Sequence, residues 1–293
     1  MTRAPAAVLA AALLVALVAC TPAAPTPPPQ SESAGPEVLV APVVDDADRI
    51  LVIGDSITLG VNACAEEGPC ESVSWATGDD PIVASVRDRA RAQNPAAEVG
   101  ALARSGAQMA TAAAAVEHVT AEEPQLAILL LGANDACARS LEEMTTPEDF
   151  QSALTAVLTA LAASPQAPAI LVMSVPDLEG VWQTLHDDPA AVASWNANPA
   201  CRSLFAGADS LSTEAEAARR AVAERVDAYN VVITETCAVT ERCSTDGGAL
   251  HAHIFTADEM SPIDHFHPSI DGQEAIAGIV WQSLAEMPGD AAG

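Results

Sequence analysis

The chain has 293 residues, with 12 basic side chains against 40 acidic ones and a formal net charge of −28. That length suits one large domain or two small ones and is ample for a buried core. An acidic excess of this size argues against nucleic acid and against a polybasic membrane patch. Every base is an arginine and much of the apolar half is alanine, which describes a solvated acidic surface rather than an activity.

Reading from the N-terminus, Arg3 is followed by an unbroken apolar run from Ala6 to Ala19. The run is too short to span a bilayer comfortably and has the form of an export signal. It ends Leu17-Val18-Ala19-Cys20, which resembles the lipobox of bacterial lipoproteins. The resemblance implies loss of residues 1–19 and acylation of Cys20, with each buried CH₂ of the acyl chains contributing ~0.8 kcal/mol of membrane affinity. An ordinary signal cut that leaves Cys20 free is the alternative. Residues 20–44 include Pro27, Pro28 and Pro29 among Ala, Ser and Thr, and read as a semi-extended tether. No internal repeat or second linker follows, so residues 45–288 form one expected domain with a short tail at 289–293. No other segment reaches membrane-spanning length.

Within that domain, Ile50 to Ile53 forms a first buried-strand candidate ending in Gly54. Residues 80–93 then show helical spacing. Leu126 to Leu131, ending in Gly132, is a second strand. Residues 150–163 carry Leu154, Val157, Leu158 and Leu161 on one helical stripe. Ala169 to Met173 is a third strand, and residues 212–230 a helix with a face of Glu and Arg. A last helix starts near Ser269, an N-cap candidate after Pro268, and turns Ile276, Ile279, Val280 and Leu284 inward. Short continuous apolar strands alternating with helices predict a three-layer α/β/α sandwich around a central parallel sheet. Such sheets bind ligands beyond the carboxyl ends of their strands.

Cys20 apart, six cysteines remain: Cys64, Cys70, Cys137, Cys201, Cys237 and Cys243. Six thiols allow fifteen pairings. The doublets Cys64/Cys70 and Cys237/Cys243 can each close a local loop, which leaves Cys137 with Cys201. An exported domain favours disulfides, and no C-x-x-C pair suggests zinc.

Four short segments carry the chemistry. The first strand runs into Gly54-Asp55-Ser56-Ile57-Thr58-Leu59-Gly60, where a serine can project its hydroxyl above the sheet edge; it needs a base to become a nucleophile. The loop Arg104-Ser105-Gly106-Ala107 lets a backbone N–H approach a ligand. The second strand runs into Gly132-Ala133-Asn134-Asp135, where Asn134 is either an Asx-turn residue or a donor aimed into the cleft. Asp264-His265-Phe266-His267-Pro268 places a carboxylate three residues ahead of a histidine, able to reach its Nδ1–H and fix the tautomer.

Together these segments resemble the SGNH, or GDSL-type, hydrolase family: Ser56 in G-D-S, then Gly106, Asn134 in G-x-N-D, and Asp264 with His267 in D-x-x-H-P. The I-T in place of the commoner L-S after G-D-S is a conservative departure. The resemblance implies a Ser56-His267-Asp264 triad hydrolysing carboxylic esters without a cofactor. It also implies an oxyanion hole from the Ser56 and Gly106 N–H groups and the Asn134 side chain. The cysteine pattern is similar to that of secreted members in which neighbouring cysteines pair in sequence, implying Cys64–Cys70, Cys137–Cys201 and Cys237–Cys243.

The expected protein is therefore a lipid-anchored, extracytoplasmic serine esterase acting on a small-molecule or lipid ester. One alternative is a carbohydrate O-acetylesterase of the same family. Another is an idle binding or scaffolding lipoprotein. A third is metal-dependent hydrolysis through His251, His253, His265 and His267, which predicts inhibition by a chelator. Asp55 and Asp135 are expected to brace their own turns, and Trp75 to be a core residue.

Overall fold

The computed structural model describes residues 39–197 and 201–288. The expected leader, Cys20, most of the tether and the tail lie outside the described residues. Strands β1 (Arg49–Gly54), β2 (Glu98–Ala103), β3 (Leu126–Leu130), β4 (Ala169–Val172) and β5 (Cys243–Thr245) form one sheet in the order β2-β1-β3-β4-β5. All four pairings are parallel. β3 and β4 are buried along their whole length, because helices cover both faces and the sequence there has no polar alternation. On one side, Pro147–Ala162 packs against Met109–Ala114 and Thr213–Ala238; on the other, Ile270–Glu286 packs with Val86–Gln93 and Pro42–Asp45. The result is the α/β/α sandwich expected from the sequence.

The strand order reverses at β1, with β2 on one side and β3 on the other. The crevice above the carboxyl ends of β1 and β3 is therefore the topological switch point, where ligands bind in such sheets. The Ser56 turn leaves the end of β1, and the Asn134 turn leaves the end of β3.

Several boundaries differ from those expected. The folded domain begins before Asp45. Pro42–Asp45 is helical with Pro42 in its first turn, Ala41 and Val44 are fully buried, and Trp281 Nε1 donates to the Leu39 carbonyl at 2.8 Å. A Pro/Val-rich stretch read as tether is thus partly core. The helix expected over 80–93 starts only at Val86: Asp80 takes the Ile82 N–H, and Ser85 caps the helix by accepting from Asp88. The helix expected over 212–230 continues to Ala238, where Val222, Val226, Tyr229 and Ile233 bury one face and outweigh the weak propensity of a β-branched run. β2 and β5 were not foreseen. β2 is an edge strand with Glu98, Gly100 and Ala101 exposed, its small apolar residues interrupted by Gly100, and β5 has only three residues.

The last helix begins as expected, Ser269 Oγ accepting from the Gly272 N–H at 3.3 Å. Disulfides join Cys64 to Cys70, Cys137 to Cys201 and Cys237 to Cys243, with Cα–Cα distances of 6.0, 4.5 and 5.3 Å. Among the described residues no helix is long and apolar enough to cross a membrane.

Candidate active site

The end of β1 is shaped by a close approach. A Cβ on Gly54 would lie 2.0 Å from Thr58 Oγ1, so only glycine lets the chain fold back on itself there. Asp55 Oδ1 accepts the Ile57 N–H at 2.9 Å, and Val61 N–H donates to the Ser56 carbonyl at 3.0 Å. The turn is also tied to the far end of the chain: the fully buried Gln273 donates from Nε2 to the Ile57 carbonyl and accepts the Trp75 N–H on Oε1.

The loop before the last helix presents His267 to this turn. Met260 and Pro268 form an antiparallel bridge, and Ser261 N–H donates to the His267 carbonyl at 2.8 Å, closing the loop at its base. His267 Nε2 lies 2.9 Å from Ser56 Oγ, and His267 Nδ1 lies 2.5 Å from Asp264 Oδ2. Asp264 Oδ1 accepts the Phe266 and His267 N–H groups, each at 2.9 Å, while Oδ2 also accepts from Asn62 Nδ2 at 2.6 Å. Burial pushes the Asp264 carboxyl up, but the hydrogen bond and charge of His267 and the two backbone donors outweigh it and hold the group at about 2. The helix Pro189–Ala197 buttresses the loop: Ser194 Oγ donates to the Asp264 carbonyl and Trp195 Nε1 to the His265 carbonyl.

At the end of β3, Gly132 adopts φ 122°, and a Cβ there would lie 2.5 Å from Val175 Cγ2. This conformation turns Asn134 toward β1. Its Nδ2 donates to Asp55 Oδ2 at 3.0 Å and to the Ala107 carbonyl at 3.1 Å. Asp135 faces the other way: Oδ2 accepts the Met109 N–H at 2.9 Å, and Oδ1 is buried with no hydrogen-bond partner. Burial raises both carboxyls to about 6, against hydrogen bonds from Ile57 and Asn134 to Asp55 and from Met109 to Asp135.

The structure thus places Ser56, His267, Asp264 and Asn134 together. Gly106 is different. It is exposed at φ 75° and is not among the residues lining the cavity beside Ser56. The turn closed by Ala107 N–H on the Arg104 carbonyl holds it at the loop tip. Its N–H and that of Ser56 have no acceptor among the described residues. Asn62 and Gln273 were not foreseen: an Asn in a polar loop and a Gln on a helix carry no motif, and only their contacts reveal them.

The cavity has a volume of about 40 Å³. Its walls are mostly apolar, with Leu178, Val181, Phe255, Met260 and Ile276 facing Ser56, His267 and Asn134 across it, and Asp177 also on its lining. Since one water needs roughly 10–15 Å³ of such space, the cavity holds about three water-sized groups. The other histidines do not converge on it. His251 contacts the Val175 carbonyl and Asp227, and His253 contacts Glu259. Among the described residues no group of three or more His, Cys, Asp or Glu is arranged to hold a metal ion. Trp75 is fully buried and outside the cavity lining.

Comparison with known proteins adds three findings. The family model described as GDSL-like lipase/acylhydrolase matches residues 52–275. No curated protein matches the chain. Among solved structures, an acetylxylan esterase from Geobacillus stearothermophilus is similar at 18% identity with a TM-score of 0.51, covering 80% of this chain and 93% of that one. An α/β hydrolase enzyme from the metagenome of Lake Arreo, Spain, is similar at 18% identity with a TM-score of 0.52, covering 82% and 96%. A protein of Parabacteroides merdae described as GDSL-like has 16% identity and a TM-score of 0.53, covering 82% and 96%. At these identities the likeness is one of fold.

Proposed function

The chain belongs to the GDSL-like lipase/acylhydrolase family of ester hydrolases, and from that premise we propose that it hydrolyses esters of short acyl chains through Ser56, His267 and Asp264. The observation that carries this is the hydrogen-bonded line from Asp264 Oδ2 through His267 to Ser56 Oγ at the mouth of a small apolar cavity. In this reading His267 takes the Ser56 proton as Oγ attacks the ester carbonyl. Asp264 holds the imidazole by Nδ1 and stabilises the imidazolium that forms. His267 then protonates the leaving alcohol, and water releases the acid by the same steps in reverse.

The oxyanion is assigned to the Ser56 N–H and the Asn134 side chain, donors of this kind contributing roughly 3–4 kcal/mol each. At rest, both Asn134 amide hydrogens are engaged with Asp55 and Ala107, so catalysis exchanges or shares one of those bonds. The Gly106 N–H joins as a third donor if loop 104–107 closes toward Ser56. The cavity's size favours acetyl to about butyryl groups over long lipid chains. Carbohydrate O-acetyl esters are one such class, and the acetylxylan esterase among the fold neighbours makes them the second substrate set to test.

Ser56→Ala is expected to lower turnover of p-nitrophenyl acetate by ~10⁴-fold or more and to abolish labelling by a fluorophosphonate. A variant that keeps the wild-type rate refutes the assignment. Absence of any covalent adduct on the folded, oxidised wild type favours the scaffolding alternative. The proposed location is the outer face of the cell membrane, through an acylated Cys20. Mass spectrometry of the N-terminal peptide tests it, and an unmodified chain starting elsewhere removes it.

A further inference from the structure

Asn62 lies outside the four motif segments and outside the cavity lining, yet it is hydrogen-bonded to the triad carboxylate. Its Nδ2 donates to Asp264 Oδ2 at 2.6 Å, the same oxygen that meets His267 Nδ1. The orientation of its amide is set from the other side. Asn62 Oδ1 accepts the Gly68 N–H at 2.8 Å, and the Asn62 N–H donates to the Gly68 carbonyl at 2.8 Å. With Oδ1 committed as an acceptor, the NH₂ end must face Asp264. The Asn62 carbonyl accepts from Ser261 Oγ at 2.6 Å, joining the segment to the base of the His267 loop.

Gly68 belongs to the ring closed by the Cys64–Cys70 disulfide. That ring is docked on the nucleophile turn, where the Cys70 N–H donates to the Gly60 carbonyl at 3.2 Å. A continuous path therefore runs from the disulfide ring through Gly68, Asn62, Asp264 and His267 to Ser56.

We propose that Asn62 is a positioning residue of the triad, and that the Cys64–Cys70 ring acts on catalysis by fixing the angle at which Asn62 meets Asp264. The inference rests on the triad reading above. The other donors to Asp264 both address Oδ1, so among the described residues Asn62 is the one group besides His267 that restrains Oδ2. Without it the carboxylate can pivot about Oδ1, and the imidazole loses its aligned partner. Ground-state binding is untouched, because Asn62 does not line the cavity.

The test is a cycle of Asn62→Gly, the pair Cys64→Ser with Cys70→Ser, and all three together. Glycine is chosen because Asn62 has φ 58°, which glycine adopts without strain. Asn62→Gly should lower kcat for p-nitrophenyl acetate about 10- to 100-fold, the worth of one hydrogen bond to a charged group, with KM changed less than twofold. The cysteine pair should lower kcat by a similar factor, and the triple variant should be no worse than Asn62→Gly alone. Thermal unfolding and near-ultraviolet circular dichroism establish that each variant is folded at the assay temperature.

A wild-type kcat in Asn62→Gly overturns the proposal. Multiplying losses in the triple variant overturn the role of the ring. An independent readout is the far-downfield proton resonance of the His267–Asp264 hydrogen bond, which Asn62→Gly should shift or broaden. Because that resonance needs no substrate, it tests the positioning of Asp264 even if Ser56 does not drive ester hydrolysis, and an unmoved resonance overturns the proposal.

Discussion

Val181 projects from the helix Leu178–Leu185 into the wall of the cavity and is 5% exposed. Replacing it by alanine removes two carbon atoms from a space that admits about three water-sized groups. An acyl chain two carbons longer than the wild-type limit can then fill the vacated volume. At ~0.8 kcal/mol per buried CH₂, the longer ester gains about 1.6 kcal/mol in the transition state, or roughly 15-fold in kcat/KM. The shortest ester loses its wall contact and gains nothing. The assay is kcat/KM over the p-nitrophenyl series from acetate to octanoate for both proteins, expressed as the hexanoate-to-acetate ratio. Val181→Ala should raise that ratio about 15-fold while costing about 1–3 kcal/mol of stability, which urea unfolding measures. A folded variant with an unchanged ratio would show that the acyl chain does not enter this cavity, and the short-chain assignment would fall with it.

Two stability predictions follow from the same site. Asp55 and Asp135 have folded-state values of about 6 against an ordinary 3.8. The unfolded chain therefore binds fewer protons than the folded one between those limits, and stability falls as pH rises through that window, by on the order of 3 kcal/mol for each group. Asp264, held at about 2, acts in the opposite sense, its contribution being present above pH 3.8 and lost as pH falls toward 2. Urea unfolding from pH 4 to pH 7 should show the decline, and Asp135→Asn should remove about half of it; an unchanged slope in the variant contradicts the assignment. Opening the Cys137–Cys201 bridge, which spans 64 positions, should cost about 4 kcal/mol by loop entropy, against about 2 kcal/mol for Cys237–Cys243, which spans six. Equal losses in the two paired Cys→Ser variants would mean that local contacts, such as Ser203 Oγ on the Ala136 carbonyl, outweigh chain entropy.

What could be read from sequence divides along physical lines. β1, β3 and β4 are buried on both faces, so their apolar runs are unbroken and legible; β2 gains its structure by pairing at an edge, and its Gly and Ala carry little local preference. Ser56, Asn134, Asp264 and His267 sit in turns whose glycine and proline spacing marks them. Asp55 braces its own turn through Ile57, as expected, whereas its bond to Asn134 is visible only once two strand ends 79 positions apart are side by side. Gly106 shows the reverse: its sequence context marks a ligand-approaching turn, while the fold leaves it at an exposed loop tip. Asn62 and Gln273 act across separations of 202 and 216 residues, a distance at which no local pattern records a partnership.

The distance between Ser56 and His267, 211 positions along the chain, also sets an order of events in the making of the enzyme. Ser56 is synthesised 211 positions before His267, and domains gain structure from the N-terminus as the chain grows. Until His267 is in place, Ser56 lacks the partner that its Oγ meets in the folded chain, and the cavity beside it lacks the wall formed by His267, Pro268 and Ile276. The proposed triad is complete only once the loop from Ser261 to Ser269 is docked, with Gln273 holding the Ile57 carbonyl. A chain clipped before His267 lacks the base of the proposed triad.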